Sequence, residues 1–268
     1  MPLINHATKT IAIKIVYYGP GLSGKTTNLR YIYFKLDPAT RGELICLETE
    51  AERTYFFDLL PIRAGMIGDF TVHFQLMTVP GQVFYEASRK SVLRGADGIV
   101  FVADSQIPLL DANLECFDGL RRNCLQHDID LNRIPLVFQY NKRDLPYLIP
   151  VETFNNLLNP RKCPWVEAVA ITGVGVFESL REISKLTVPV VREKLFGGAA
   201  RGDRADAGLT DRELGRGPDV TPPALDDVDF IPPERAAPFQ VTKVRLKSAR
   251  EIEEALEKLS KEFIEKDE

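Results

Sequence analysis

Gly19-Pro20-Gly21-Leu22-Ser23-Gly24-Lys25-Thr26 is the stretch on which the fold turns. An apolar run of strand length, Ile11 to Tyr18, precedes it, and a stretch of helical period, Thr26 to Phe34, follows at once. Strand, glycine-rich turn and helix in that order, with the turn matching G-x-x-x-x-G-K-[ST], make a phosphate-binding loop. The glycines let the chain wrap tightly, so that backbone N–H groups and the helix N-terminus converge on phosphate oxygens. In that arrangement Gly19, Gly21, Ser23, Gly24 and Thr27 line the phosphates, Lys25 reaches the β- and γ-phosphates, and the Thr26 hydroxyl coordinates Mg²⁺. The motif specifies a nucleotide without specifying its base.

Outward from this loop, residues 1 to 196 alternate between short apolar runs and longer stretches of helical period. Strands are expected at Ile11 to Tyr18, Leu44 to Leu47, Phe70 to Val79, Gly98 to Asp104, Ile134 to Tyr140 and Glu167 to Ala170. Helices are expected near Thr26 to Phe34, Phe84 to Leu93, Ala112 to Gln126, Val151 to Leu158 and Phe177 to Leu195. Such alternation predicts an α/β fold with a mostly parallel six-stranded sheet and helices on both faces. Ligands of these sheets bind at the carboxyl ends of the strands.

The base is named at the end of the fifth expected strand, by Asn141-Lys142-Arg143-Asp144. The Asp144 carboxylate can accept from both N1–H and the exocyclic amine of guanine, whereas adenine offers an acceptor at N1 and has no 2-amino group. A site built around such a buried pair rejects the wrong partner by roughly 10⁴-fold. After the sixth expected strand, Ala170-Ile171-Thr172-Gly173 has the look of a second guanine loop, with the Ala170 N–H available to the base oxygen.

The third expected strand ends Thr78-Val79-Pro80-Gly81-Gln82. Gly81 can present its N–H to a γ-phosphate, and Gln82 can orient an attacking water, as the corresponding residue does in Ras-type GTPases. Ras-type proteins open this motif with an Asp that touches Mg²⁺ through water, and this chain has Thr78. Either Mg²⁺ is held with one charge fewer, or another acid such as Asp58 takes part.

The runs Val16 to Gly21, Thr78 to Tyr85, Phe101 to Ser105, Gln139 to Pro146 and Thr172 to Val176 together resemble one branch of small Ras-like GTPases, the bacterial MglA family of cell-polarity and gliding-motility regulators. T-V-P-G-Q in place of D-x-x-G-Q is a mark of that branch. The resemblance covers nearly all of residues 1 to 196 and none of the tail. It implies a switch that binds GTP and GDP with Mg²⁺ and hydrolyses GTP slowly until a partner stimulates it. Between Thr49 and Thr54, it implies Thr54 as the threonine meeting Mg²⁺ and the γ-phosphate, with Arg53 as an arginine finger from the same chain. It also implies a Roadblock-fold activating partner (MglB-like), effectors that read the switch segments, and a cytoplasmic protein brought by partners to cell poles or membrane complexes.

The 268 residues carry 34 Lys and Arg against 38 Asp and Glu, a balance that argues against nucleic-acid binding through a basic field. No apolar run approaches the length needed to span a bilayer, and no lipidation motif is present, so no direct membrane anchor is expected. Cys46, Cys116, Cys124 and Cys163 form no C-x-x-C pair and suggest neither zinc nor disulfides. His73 reads as a strand histidine and Trp165 as a packing residue in a loop.

Composition shifts at Gly197. Residues 197–240 hold 12 Gly and Pro and 9 acids against 5 bases, which predicts a disordered acidic linker. Ile252, Leu256, Leu259 and Phe263 then recur at helical spacing behind a Ser248/Glu251 capping box, so 241–268 is expected to form an amphipathic helix that docks on a partner or on its own domain. Two other readings of the whole are a GTP-binding scaffold with little turnover, which Gln82 argues against, and a P-loop kinase, which Asp144 and Gly81-Gln82 argue against.

Overall fold

The computed structural model describes residues 2–49, 57–80, 86–196 and 242–246, together with residues 254 and 258. Its framework is one twisted sheet, centred on β2 (Thr10–Tyr18). Every second side chain of β2 goes to the same face. Ile11, Ile13, Ile15 and Tyr17 enter one apolar core, and Val16 and Tyr18 enter the other. A strand apolar on both faces must be covered on both, and the helices do so. On one face α1 (Lys25–Lys35) and α5 (Val176–Phe196) bring Leu29, Ile32, Leu180 and Ile183. On the other, α2 (Glu86–Leu93), α3 (Leu110–Gln126) and α4 (Val151–Leu158) bring Val92, Phe117, Leu120, Phe154 and Leu158.

The remaining strands are β1 (Leu3–Asn5), β3 (Ile45–Thr49), β4 (Phe57–Ile67), β5 (Phe70–Thr78), β6 (Gly98–Asp104), β7 (Leu136–Asn141), β8 (Trp165–Glu167) and β9 (Thr242–Leu246). The sheet runs β8-β7-β6-β2-β5-β4-β3-β9, with β1 paired to β2. Five of the pairings are parallel: β2 with β5 and β6, β6 with β7, β7 with β8, and β3 with β9. The α/β class and the mostly parallel sheet are as the sequence predicts.

Among the described residues nine strands stand where six are expected, and the differences have local causes. β4 hides because Pro61 and Gly65 interrupt its apolar run and because Ala64 is an extra residue, bulged out where the β4–β5 register shifts between Arg63 and Gly65. β1 is a short antiparallel flank on β2, Leu3 opposite Ala12. β8 begins at Trp165 rather than Glu167. The Trp165 ring stacks on Tyr140 at 5.8 Å, so it packs as expected but from a strand, not a loop. β9 corrects the expectation of a helix throughout 241–268, since Thr242-Lys243-Val244-Arg245-Leu246 alternates with strand period and pairs in parallel with β3. Glu254 and Lys258 are helical and exposed. The expected linker at 197–240 lies outside the described residues. None of the four cysteines is in a disulfide, and among the described residues no helix is long and apolar enough to cross a membrane.

Candidate functional site

The phosphate loop sits at the carboxyl end of β2 and hands directly into α1. Gly24 caps the helix at φ 100° and offers no side-chain acceptor to the first-turn N–H groups, which leaves them available to an anion. A Cβ on Gly24 would lie 2.2 Å from Asn141 Nδ2, so the close approach of the loop to β7 demands glycine. Lys25 is buried. Its ammonium donates to the Gly19 and Pro20 carbonyls at 2.9 and 2.6 Å, which arches the loop and leaves the third donor for a phosphate. Burial pulls the Lys25 pKa down to about 8. The Ser23 hydroxyl is buried with no hydrogen-bond partner, a polar group that a phosphate oxygen would satisfy.

Thr26, on the first turn of α1, donates to Asp58 Oδ2 at 2.6 Å. Asp58 comes from β4, is 1% exposed, and also accepts from the Thr78 hydroxyl (3.2 Å) and the Cys46 thiol (2.9 Å). Its own N–H donates to the Thr78 hydroxyl at 2.8 Å. Asp58, the acid named beside Thr78, stands next to Thr26, carried by the strand next to the expected one. Threonine fits at 78 because it fills the position and hydrogen-bonds that acid. A hydroxyl, a carboxylate and adjoining phosphate oxygens are the hard oxygen donors that Mg²⁺ prefers.

At the far side of the loop, Asn141 ends β7. Its Nδ2 donates to the Ser23 carbonyl (2.7 Å) and its Oδ1 accepts the Ala170 N–H (2.9 Å), so one side chain ties the phosphate loop to the segment after β8. The Ala170 N–H, expected to serve a base oxygen, is thus taken by Asn141. β8 ends at Glu167, and an isolated bridge between Val169 and Val174 closes the turn that carries Ala170. Lys142 adopts φ 67° and donates to the fully buried Asp104 at 2.6 Å. Asp144 is exposed, with no partner among the described residues, its carboxylate open to solvent.

Two features escaped sequence reasoning. Asn28 on α1 and Gln139 on β7 form a reciprocal amide pair at 2.8 and 2.9 Å. Asn28 also donates to the Gly24 carbonyl, and Gln139 donates to Ser179 on α5. An uncharged polar residue inside the apolar strand Leu136–Asn141 was the available signal. The second is Arg89 of α2, 7% exposed, which donates to the Pro80 carbonyl at 2.9 Å and fixes the chain immediately before Gly81. Arg53, Thr54, Gly81 and Gln82 themselves lie outside the described residues. Gly19, Gly21, Ser23, Gly24, Lys25, Thr26, Thr27, Asn141, Lys142, Asp144 and Ala170 fall where β2, α1, β7 and β8 open at one end of the sheet.

Over 193 residues the chain is 54% identical to the mutual gliding-motility protein MglA of Myxococcus xanthus, a span covering 99% of that protein and 72% of this chain. The chain belongs to the MglA family. No protein-family model matches it. The resemblance drawn from Thr78-Val79-Pro80-Gly81-Gln82 and its companion runs therefore holds. As a member of the family, the chain also carries a further segment that the M. xanthus MglA does not share.

Proposed function

We propose that this MglA-type chain is a guanine-nucleotide switch that binds GTP or GDP with Mg²⁺ and hydrolyses GTP. One observation supports the reading above others: the Thr26–Asp58–Thr78 cluster supplies an acid beside the phosphate loop although the usual aspartate position holds threonine. An MglA-type sequence needs that substitution compensated if it is to use a metal. Thr26 and Thr54 would hold Mg²⁺ with Asp58 behind them, and the metal would neutralise charge on the β- and γ-phosphates. Lys25 and the first-turn N–H groups of α1 orient those phosphates, Asn141 and Asp144 select guanine, Gln82 orients the attacking water, and Arg53 meets the transition-state charge. Arg89 and Asp58 brace the two segments that carry these groups.

By analogy with the M. xanthus protein the cellular role is in gliding motility, or, by the family resemblance, in cell polarity. A Roadblock-fold protein would raise the rate by positioning the Arg53 and Gln82 segments, and effectors would read the same segments. The deciding experiment measures binding of GTP and ATP to the purified chain and phosphate release without any acceptor. GTP preferred by at least about 10³-fold, with release of phosphate, is the expected result. Equal affinity for the two nucleotides would overturn the reading. Guanine-specific binding without turnover would leave the scaffold.

A further inference from the structure

Three of the four residues in Asn141-Lys142-Arg143-Asp144 are tied to neighbouring segments, and the third of them is the one that N-K-x-D leaves open. Asn141 bonds to Ser23 and Ala170, and Lys142 to Asp104. Arg143 is held from three sides. Its backbone N–H donates to the Ala168 carbonyl, just past β8, at 3.0 Å. Its Nε donates to Oε2 of Glu167, the last residue of β8, at 2.7 Å, and its Nη1 donates to the Ile149 carbonyl at 2.8 Å. Ile149 is itself a fixed point, since it is buried and its N–H donates to the Ser105 carbonyl past the end of β6 at 2.8 Å. One guanidinium thus closes residues 143–149 into a loop and joins that loop to the end of β8. Asp144, exposed and without a partner among the described residues, stands inside it.

We infer that Arg143 is a positioning residue for base selection: it holds the loop that carries Asp144, so that the carboxylate is already placed when a guanine arrives. The inference rests on the function proposed above and adds to that site a residue which the motif does not specify. Arginine suits the task because its planar fork points donors in fixed directions, here at a carboxylate and a carbonyl from two different segments. The Arg143 side chain is 19% exposed and that of Glu167 48%. A pair so open to water adds little to global stability. The same contacts nonetheless decide whether Asp144 has to be ordered on binding. Fixing the backbone of one residue corresponds to roughly a tenfold change in an equilibrium constant, so a chain without the arginine binds guanine nucleotides that much more weakly. Adenine nucleotides, with an acceptor at N1 and no 2-amino group, gain nothing from a placed carboxylate and are spared.

The experiment measures GDP and ADP affinity by competition on the full chain carrying Arg143→Ala, and repeats the GDP measurement in an Asp144→Ala background. A milder variant, Glu167→Gln, keeps the Ile149 contact and neutralises the acid. The expected result is GDP weakened about tenfold by Arg143→Ala and about threefold by Glu167→Gln, with ADP within about twofold of the parent in both. The melting temperature should fall by no more than about 2–4 °C. Because the arginine acts through Asp144, adding Arg143→Ala to Asp144→Ala should change GDP affinity by less than about twofold. Equal weakening of GDP and ADP, no weakening of GDP, or the full loss in the Asp144→Ala background overturns the inference. If Arg143→Ala does not fold, the Glu167→Gln comparison decides on the same terms. A parent chain that binds ADP as tightly as GDP overturns the functional reading instead, and is recognised before any variant is made.

Discussion

Replacing Asp58 with Asn should move metal dependence and stability in opposite directions. The carboxylate is 1% exposed and accepts from the Thr26 and Thr78 hydroxyls and the Cys46 thiol. Hydrogen bonds to a charged acceptor contribute about 1.5–3 kcal/mol, against about 0.5–1.5 for neutral ones, so Asn, with one acceptor oxygen in place of two, weakens the contacts on that oxygen by about 1 kcal/mol each and requires the group facing its NH₂ to turn from donor to acceptor. Against this loss stands the desolvation of a buried anion, several kcal/mol, which Asn removes while keeping the shape. The metal-free protein should therefore melt within a few degrees of the parent or above it. A metal site that loses an outer partner loses about 10- to 100-fold in affinity, so half-maximal retention of GDP should require that much more Mg²⁺. The assay is GDP dissociation across a Mg²⁺ titration, paired with thermal melts in chelator. An unchanged Mg²⁺ requirement would refute the role assigned to Asp58. A collapse in melting temperature without metal would show the carboxylate to be structural.

Asp144→Asn should shift preference from guanine to xanthine nucleotides in competition binding, because the amide donates where xanthine has an oxygen. Gln82→Leu should leave GTP binding nearly intact and cut single-turnover hydrolysis, while Arg53→Ala should cost more than about threefold of the partner-stimulated rate. Lys25 must be charged to hold phosphate, and with its pKa pulled down to about 8 it loses its proton as pH rises. GDP affinity should thus fall about fourfold from about pH 7 to about pH 8.5, a slope absent in Lys25→Arg. Gln139→Leu should cost about 1–3 kcal/mol in urea melts by stranding the Asn28 amide, and adding Asn28→Leu should return much of it.

The parts of the site that were legible in sequence are those whose chemistry is local. Gly19 to Thr26 carries its own context, a strand before and a helix after, and Asn141 to Asp144 needs only a strand end. What stayed hidden depends on pairing between distant segments. Asp58 could be named as a candidate acid but not placed, since its position depends on a β4–β5 pairing that Pro61 and the bulged Ala64 disguise. The Asn28–Gln139 pair joins residues 111 apart, and each alone reads as a polar blemish on an apolar pattern. β9 failed for another reason: five alternating residues were absorbed into the longer helical pattern that begins at Ser248, where capping and periodicity signals are stronger.

The bulge at Ala64 reaches well beyond its own neighbourhood. Counting back from the turn, Ile67 faces Phe70 and Gly65 faces Val72, but past the extra residue Arg63 faces His73 and Leu59 faces Met77. Were Ala64 paired in regular alternation instead of bulged, Leu59 would arrive opposite Thr78 and the acid would turn to the other face of the sheet. Chain length between residues 58 and 68 is consequently a chemical variable. Deleting Ala64 would only straighten the strand and keep Arg63 opposite His73, whereas one residue inserted between Leu60 and Pro61, far from the phosphate loop, would place a leucine where the carboxylate stands. A gain or loss of one residue between Leu59 and Arg63 should be tolerated in descent only when a second one nearby restores the count.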